Sequence, residues 1–177
     1  EGNARDRAMV EVLLGTGLRV GELLALRRGD VELRPRSGAL IVRRGKGGGT
    51  RRIPLTAGVR RALETYLEEQ GELPEDAPLW QGTRGALRDR GAVRRMLEKY
   101  ARRAGLEEKV TPHALRHTFA TRYLEANPDD LRGLAALLGH ASLNTVMIYT
   151  EPAEEDLRER MERMEVVGDG SRPVRRS

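Results

Sequence analysis

Histidine and arginine share one helix face near the middle of the chain. His113 and Arg116 stand three residues apart at the start of a predicted helix, a spacing that places both side chains on the same side. Helix N-termini favour anions, and the planar guanidinium of arginine can hold two phosphate oxygens at once. The pair is therefore a candidate phosphate site. From these four residues alone, a capping histidine beside a surface arginine is an equal alternative.

A zinc site is the second chemistry that this helix suggests. His113 and His117 are four residues apart, the spacing of two zinc ligands on one helix face. The familiar form of that motif places a glutamate directly after the first histidine as a general base, but Ala114 stands there. Arg116, between the two histidines, would repel a metal ion. We therefore expect no metal, and we expect His117 to be structural, paired in the core or against a neighbouring helix.

Of the four tyrosines, one is poorly explained by packing. Tyr66, Tyr100 and Tyr123 each lie on the apolar stripe of a predicted helix, so we expect them in the core. Tyr149 belongs to a short predicted helix over residues 143–150, and it points away from the apolar stripe of that helix. Tyr149 is thus the tyrosine whose hydroxyl is best placed for chemistry.

A lysine and an arginine–glutamate pair complete the candidate residues. Lys46 sits in a glycine-rich turn between two predicted strands, and a lysine, unlike an arginine, can give up its proton. Arg19 and Glu22 are three residues apart, so the carboxylate can orient the guanidinium for phosphate binding. The alternatives are a lysine without a chemical role and an ordinary ion pair on a helix surface.

The elements that must position these residues are mainly helices. Apolar stripes predict helices near both ends of the chain and through its second half. Three short strands are predicted over residues 31–33, 39–42 and 51–55, separated by turns rich in glycine and proline. A Thr111-Pro112 helix start, an Asn127-Pro128 stop and a capping Gly139 bound the later helices. The predicted fold class is α+β, predominantly helical with a small three-stranded antiparallel sheet near the N-terminus.

Charge distribution points to a polyanionic partner. The net charge of the 177 residues is only +5, but the segment from Arg27 to Arg61 carries eleven basic and two acidic residues. A bias of the coding sequence towards arginine would explain the 29 arginines against 3 lysines, though not their clustering. Nucleic acid is the expected partner. Few aromatic residues argue against a protein that stacks single-stranded bases, and the lack of cysteine excludes disulfides and thiolate metal sites.

Five motifs in order resemble the catalytic domain of tyrosine recombinases, the phage integrase family. They are Thr-Gly-Leu-Arg-Val-Gly-Glu-Leu over residues 16–23, the lysine turn followed by Thr-Arg-Arg-Ile-Pro-Leu over 50–55, His-Ala-Leu-Arg-His over 113–117, Leu-Leu-Gly-His over 137–140, and the segment of Tyr149. Each motif alone is weakly specific, but five in sequence are highly specific. The resemblance covers about residues 4–150 and implies the catalytic-domain fold of that family.

The resemblance implies a role for each candidate residue. Arg19 and Arg116 are similar to the pair that clamps the scissile phosphate, with Glu22 supporting the first arginine. Tyr149 falls at the nucleophile, and Lys46 at the general acid that protonates the departing 5′-oxygen. The remaining two are His113, which resembles the helper in proton transfer, and His140, which matches a donor of a hydrogen bond to the phosphate. In this family His117 is largely structural.

The implied activity is site-specific recombination of double-stranded DNA through a 3′-phosphotyrosine intermediate, without metal, ATP or other cofactor. A DNA-binding remnant that no longer cleaves and an enzyme like a type IB topoisomerase are the alternatives. Family members often carry a histidine two residues after the tyrosine, where this chain has Glu151. They work as tetramers on paired sites, so a homo-oligomer is expected on DNA.

Domain boundaries follow from the same resemblance. We expect one catalytic domain over residues 1–167 and a disordered tail over 168–177. The family's N-terminal DNA-binding domain is expected to be absent, so efficient recombination would be in doubt. An amphipathic helix over 153–165 either docks on a neighbouring subunit or covers its own domain. No apolar run has the length of a membrane span, and the first residues of the sequence do not have the pattern of a signal peptide. A cytoplasmic, nucleoid-associated protein is expected.

Overall fold

The computed structural model describes residues 3–43, 49–83 and 85–139. The predicted helices over 143–150 and 153–165 and the predicted tail over 168–177 lie outside these ranges. In chain order the described elements are helix α1 (Ala4–Thr16), α2 (Val20–Ala25), a 3-10 turn (Arg28–Asp30), strands β1 (Val31–Arg34), β2 (Ser37–Arg43) and β3 (Thr50–Pro54), α3 (Ala57–Gln70), β4 (Gln81–Gly82), β5 (Gly85–Ala86), α4 (Arg90–Arg103), α5 (Pro112–Ala126) and α6 (Leu131–Leu138).

Helix α1 packs in the core and ends where the chain turns towards α2. The side chain of Asn3 accepts the backbone N–H of Asp6 at 2.8 Å, which caps the first turn. Met9, Val12 and Leu13 are almost completely buried on one face, as their spacing predicts. The helix ends at Gly17, whose left-handed conformation (φ 63°, ψ 22°) turns the chain towards α2.

The three-stranded sheet is antiparallel in the order β1-β2-β3, which confirms the predicted sheet. Leu40 pairs with Ile53 and Val42 with Arg51 across β2 and β3. Leu40, Val42 and Ile53 are buried in the same core as α1 and α3. Because side chains alternate along a strand, Arg51 lies on the same side of β3 as Ile53. The predicted fold class, predominantly helical with one small antiparallel sheet, is confirmed.

A second, two-stranded sheet (β4 with β5) was not predicted. Each of its strands has two residues, too few to show an alternating pattern in the sequence. Its neighbour Trp80 is buried, stacks on Tyr66 with ring centroids 5.4 Å apart, and donates its indole N–H to the carbonyl of Leu23 at 2.8 Å. The hairpin thereby ties α3 to α2.

Helices α5 and α6 begin and end at the residues that the sequence indicates. Thr111 accepts the N–H of Ala114 at 3.1 Å and caps α5. Asp130 accepts the N–H of Gly133 at 2.8 Å and caps α6, which ends at Gly139 with φ 73°. Ala120, Leu134 and Leu138 form a second small core between the two helices. Within the described ranges, no helix is long and apolar enough to cross a bilayer.

The tyrosine expectations are only partly correct. Tyr66 is fully buried, as predicted. Tyr100 and Tyr123 are half-buried instead, and their hydroxyls bind two carboxylates, of which Asp6 is buried and Asp130 is exposed. The Tyr100 hydroxyl donates to Asp6 at 3.0 Å and that of Tyr123 to Asp130 at 2.7 Å. Both rings pack on their helix stripes while their polar ends stay at the edge of the core.

Candidate active site

Arg116 is a buried arginine that joins three elements. It lies on α5, and its residue exposure is only 7%. Its guanidinium donates to the carbonyl of Gly17, at the end of α1, at 2.5 Å, and to the carbonyl of Leu138, at the end of α6, at 3.2 Å. Burial of a charge requires such partners. These carbonyls fix the direction of the guanidinium.

Gly17 is the glycine on which this arrangement depends. Its positive φ favours glycine, and a Cβ at this position would overlap the ring of Phe119 and lie 2.8 Å from Leu138 Cδ2. The absence of a side chain therefore lets α5 and α6 approach the end of α1. This close approach brings Arg116 to a carbonyl only two residues before Arg19.

Arg19 stands at the start of α2, with its side chain 51% exposed. Glu22 accepts the backbone N–H of Arg19 at 2.9 Å, so the carboxylate caps the helix. One Arg19 guanidinium nitrogen lies 3.5 Å from the same carboxylate. The predicted association of Arg19 with Glu22 is therefore present. The exposed Arg19 follows two residues after Gly17, whose carbonyl accepts the hydrogen bond from Arg116.

Arg51 belongs to the Thr-Arg-Arg-Ile-Pro-Leu motif over residues 50–55, and its sequence position alone indicates no role for it. Its guanidinium makes two parallel hydrogen bonds to the Glu22 carboxylate, at 2.9 and 3.0 Å. Its Nε donates to the carbonyl of Leu137 at 2.9 Å. A signal was available, because Arg51 shares the buried side of β3 with Ile53, and an arginine there must find a partner.

The charge state of Glu22 follows from these neighbours. Burial by itself raises the pKa of the Glu22 carboxyl. The hydrogen bond from Arg51, the backbone N–H of Arg19 and the charges of both arginines outweigh burial, and the pKa lies below its usual value. Glu22 is therefore a carboxylate at neutral pH, and it receives both arginines as an acceptor.

His113 and His117 are both exposed on α5. His113 occupies the second position of the helix, one turn before Arg116, as its spacing predicts. Of the two placements expected for His117, the core is wrong, because His117 is exposed and the apolar side of α5 runs through Leu115 and Ala120. Pairing of His117 against a neighbouring helix stays a prediction. No group of three histidine or acidic side chains suited to a metal ion occurs in the described part of the chain.

One further cation lies beside this loop. The guanidinium of Arg90, the first residue of α4, is 2.9 Å from the position that a Cβ on Gly21 would take. Arg90 is exposed, and within the described ranges its side chain has no hydrogen-bond or ion-pair partner. Arg19 and Arg90 thus present two guanidinium groups near the start of α2.

Comparison with known proteins identifies the family of this chain. The model of the phage integrase family matches residues 1–156, which include every candidate site residue. The chain belongs to the phage integrase family.

Relatives of this integrase-family chain are tyrosine recombinases. It is 40% identical over 155 residues to the tyrosine recombinase XerC of Pelobacter propionicus, covering 88% of this chain and 50% of the relative. A crystal structure of XerA recombinase has a TM-score of 0.76 at 37% identity, covering 92% of this chain and 57% of that one. The XerH site-specific recombinase bound to its difH substrate, a pre-cleavage complex, has a TM-score of 0.76 at 30% identity, covering 89% and 46%. The chain spans about half the length of the curated relatives it matches.

Three predicted site residues of this integrase-family chain, Lys46, His140 and Tyr149, lie outside the described residues. In the sequence, Lys46 falls between the paired strands β2 and β3, and His140 directly follows the capping Gly139. The described structure thus brings together Arg19, Glu22 and Arg116. The chemical roles assigned to all seven predicted site residues remain predictions.

Proposed function

We propose that this chain is the catalytic domain of a site-specific DNA recombinase, or integrase, which cleaves and rejoins DNA strands through a 3′-phosphotyrosine at Tyr149. The observation that carries the proposal is the hydrogen bond from Arg116 to the carbonyl of Gly17. It brings Arg116 to a carbonyl two residues before Arg19, although the two arginines are 97 residues apart in sequence. Two arginines held at one loop suit a single phosphate better than two separate ones.

Positive charge is the main requirement of the reaction. A DNA phosphodiester gains negative charge on its non-bridging oxygens as the nucleophile adds. Cations that are fixed beforehand stabilise that charge without reorganising during the reaction. Arg116, held by carbonyls, and Arg19, beside Glu22, are suited to this part, and His140 would add a hydrogen bond.

The proposed chemical step is a balanced exchange of esters. The phenol oxygen of Tyr149 attacks the phosphorus, and the bond from phosphorus to the 5′-oxygen breaks. The phenol proton leaves with the help of His113, and Lys46 supplies a proton to the departing 5′-oxygen. Attack by the 5′-hydroxyl of another strand on the phosphotyrosine reverses the step, so rejoining needs no ATP.

The described tyrosines support Tyr149 as the nucleophile. Burial raises the pKa of Tyr66, and its hydroxyl donates to the carbonyl of Leu79. Burial and the hydrogen bond to Asp6 raise the pKa of Tyr100, and the hydrogen bond to Asp130 and burial raise that of Tyr123. All three phenols are therefore harder to ionise than a free tyrosine, and each hydroxyl is already engaged.

The experiment that tests the proposal uses a nicked DNA substrate, in which the short cleaved strand diffuses away and traps the covalent product. The wild-type chain is expected to form an adduct that survives denaturing electrophoresis, whereas Tyr149→Phe should bind DNA and form none. Tyr123→Phe, which also loses one hydroxyl, is the matched control and should form adduct normally. Adduct formation by Tyr149→Phe would refute the assignment.

Two other outcomes, one in this assay and one with supercoiled DNA as the substrate, point to the rival activities. Tight binding without an adduct from the wild-type chain would indicate a non-cleaving module, and relaxation of supercoiled DNA of any sequence would indicate a topoisomerase. Adding EDTA should leave cleavage unchanged, and strong inhibition would favour a zinc enzyme instead.

The proposed partner is double-stranded DNA, with a tetramer of the protein on paired sites. Exposed Arg19 and Arg90 supply backbone contacts near the cleavage point. The acidic, amphipathic segment over 153–165 is proposed to dock on a neighbouring subunit, since its charge is unsuited to DNA and its apolar stripe suits a protein groove. The proposed location is the cytoplasm, on the nucleoid, because a DNA recombinase must reach its substrate.

A further inference from the structure

Arg51 binds two of the elements that position Arg19 and Arg116, the two arginines proposed to hold the scissile phosphate and called here the clamp arginines. From β3 it reaches Glu22 of α2 with two hydrogen bonds and the carbonyl of Leu137 of α6 with a third. Its side chain is only 12% exposed. A planar guanidinium that uses three donors in two directions fixes the distance between those elements, because the donors cannot rotate independently.

Each contact of Arg51 is one step away from a clamp arginine. Glu22 accepts the backbone N–H of Arg19 and lies 3.5 Å from its guanidinium. Leu137 is followed by Leu138, whose carbonyl accepts Arg116 at 3.2 Å. Arg51 thereby reaches Arg19 through a carboxylate and Arg116 through the last turn of α6.

The backbone beside Arg51 is shaped around its guanidinium. A Cβ on Gly139 would lie 2.6 Å from Arg51 Nη1, and Gly139 also has a positive φ of 73°. The turn that ends α6 therefore packs directly on the guanidinium. His140 is the next residue in the sequence.

We propose that Arg51 is a positioning residue, which aligns Arg19 and Arg116 on the scissile phosphate through Glu22 and the end of α6. This inference rests on the proposed recombinase function. Arg51 itself is not assigned a contact with DNA. Loss of the Arg51 contacts should displace the guanidinium groups of Arg19 and Arg116 by up to about 1 Å. A displacement of that size can reduce the rate of cleavage by about 100-fold.

The chain supplies a matched control in the neighbouring residue. Arg52 lies on the same strand but on the opposite side, its side chain is 57% exposed, and it pairs with Glu32 at 2.7 Å. Arg51→Lys and Arg52→Lys both keep the charge and remove the guanidinium fork. Arg51→Lys is expected to bind DNA with near-normal affinity and to cleave it about 10- to 100-fold more slowly than the wild type. Arg52→Lys should change the cleavage rate less than about twofold.

A second substrate separates positioning from a general loss of structure. In a methylphosphonate, a methyl group replaces one non-bridging oxygen of the scissile phosphate and removes its negative charge. A variant in which Arg19 and Arg116 are misplaced should lose much less of its cleavage rate on this neutral substrate than on the natural one. Arg19→Ala should show the same difference between the two substrates. A variant that merely unfolds in part should lose the same factor on both.

Coupling to Glu22 provides the remaining test. Glu22→Gln keeps the shape of the side chain but removes the charge that Arg51 binds, so it also reports on the contact if Arg51→Lys folds poorly. The double variant should cleave about as slowly as the slower single variant, because both changes act on one path. Equal losses on both substrates, or multiplicative losses in the double variant, would overturn the proposal. Absence of any wild-type adduct would instead overturn the recombinase function itself.

Discussion

Replacement of Gly17 by alanine should damage both the fold and the proposed clamp. Gly17 has a φ of 63°, which an L-residue adopts only at a cost. The new methyl group would overlap the Phe119 ring and come within 2.8 Å of Leu138 Cδ2. Because the Gly17 carbonyl accepts the Arg116 guanidinium, any shift that relieves this overlap also moves the partner of Arg116.

The magnitude follows from two separate terms. The left-handed backbone costs an alanine about 1–2 kcal/mol relative to glycine. Insertion of a methyl group into a packed contact adds about 1–3 kcal/mol. The free energy of unfolding of Gly17→Ala should therefore fall by about 2–5 kcal/mol, a large share of the stability of a typical domain.

Gly105 allows the two terms to be separated. It has a similar φ of 68°, but no heavy atom of the described chain lies within 4 Å of the position that its Cβ would take. Gly105→Ala should therefore lose only the backbone term. Urea denaturation followed by circular dichroism gives both free energies, and the difference between the two variants isolates the packing term.

Cleavage of the nicked substrate then tests the link to the clamp. At a temperature where both variants are folded, Gly17→Ala should form adduct on the order of 100-fold more slowly and Gly105→Ala at the wild-type rate. Equal destabilisation by the two substitutions would refute the packing argument. Wild-type cleavage by a destabilised Gly17→Ala would show that the carbonyl of Gly17 does not set the position of Arg116.

Further predictions address the remaining parts of the proposed machinery. Arg116→Lys should slow adduct formation by about 100-fold or more, since one cation cannot reproduce a fixed fork; near-normal cleavage would contradict the clamp. Cleavage by Lys46→Ala should recover on a substrate with a 5′-bridging sulfur, because a thiolate leaves without a proton; failure to recover would exclude Lys46 as the general acid. Arg90→Ala should weaken binding to all DNA sequences alike and lower the salt slope by about 1, whereas Arg94→Ala, which removes a surface ion pair with Glu98 on α4, should not; equal slopes would remove Arg90 from the interface. Truncation after Pro152 should preserve binding to a single site and reduce cooperative assembly on paired sites, and unchanged assembly would refute docking between subunits.

Much of the scaffold could be predicted from the sequence because local signals agree with the packing. The Thr111-Pro112 start of α5, its end at Asn127 and the Gly139 cap of α6 are all used as the sequence indicates. The alternating strands beside them also pair as expected. The hairpin of β4 and β5 could not be predicted, since its stability comes from contacts such as that of Trp80 with Leu23, 57 residues apart.

Residue type indicates the candidate site residues but not the contacts between them. Arg19 and Arg116 stand out because their guanidinium groups suit phosphate binding, and Glu22 because its spacing from Arg19 suits orientation of that guanidinium. Arg51 does not stand out, as its part depends on which side of β3 it occupies and on a backbone carbonyl of α6, 86 residues away. Periodicity indicates the side of the strand, but only the packed fold identifies the partner.

Helix ends explain why these connections meet at one place. The last carbonyls of an α-helix have no partner within the helix and carry partial negative charge. Gly17 follows α1 and Leu137 lies in the final turn of α6, and their carbonyls accept Arg116 and Arg51. The arginines thus satisfy backbone groups that would otherwise be left without partners, and the same bonds fix their direction. Substitutions at the capping glycines should therefore change the rate of cleavage as well as the stability of the fold.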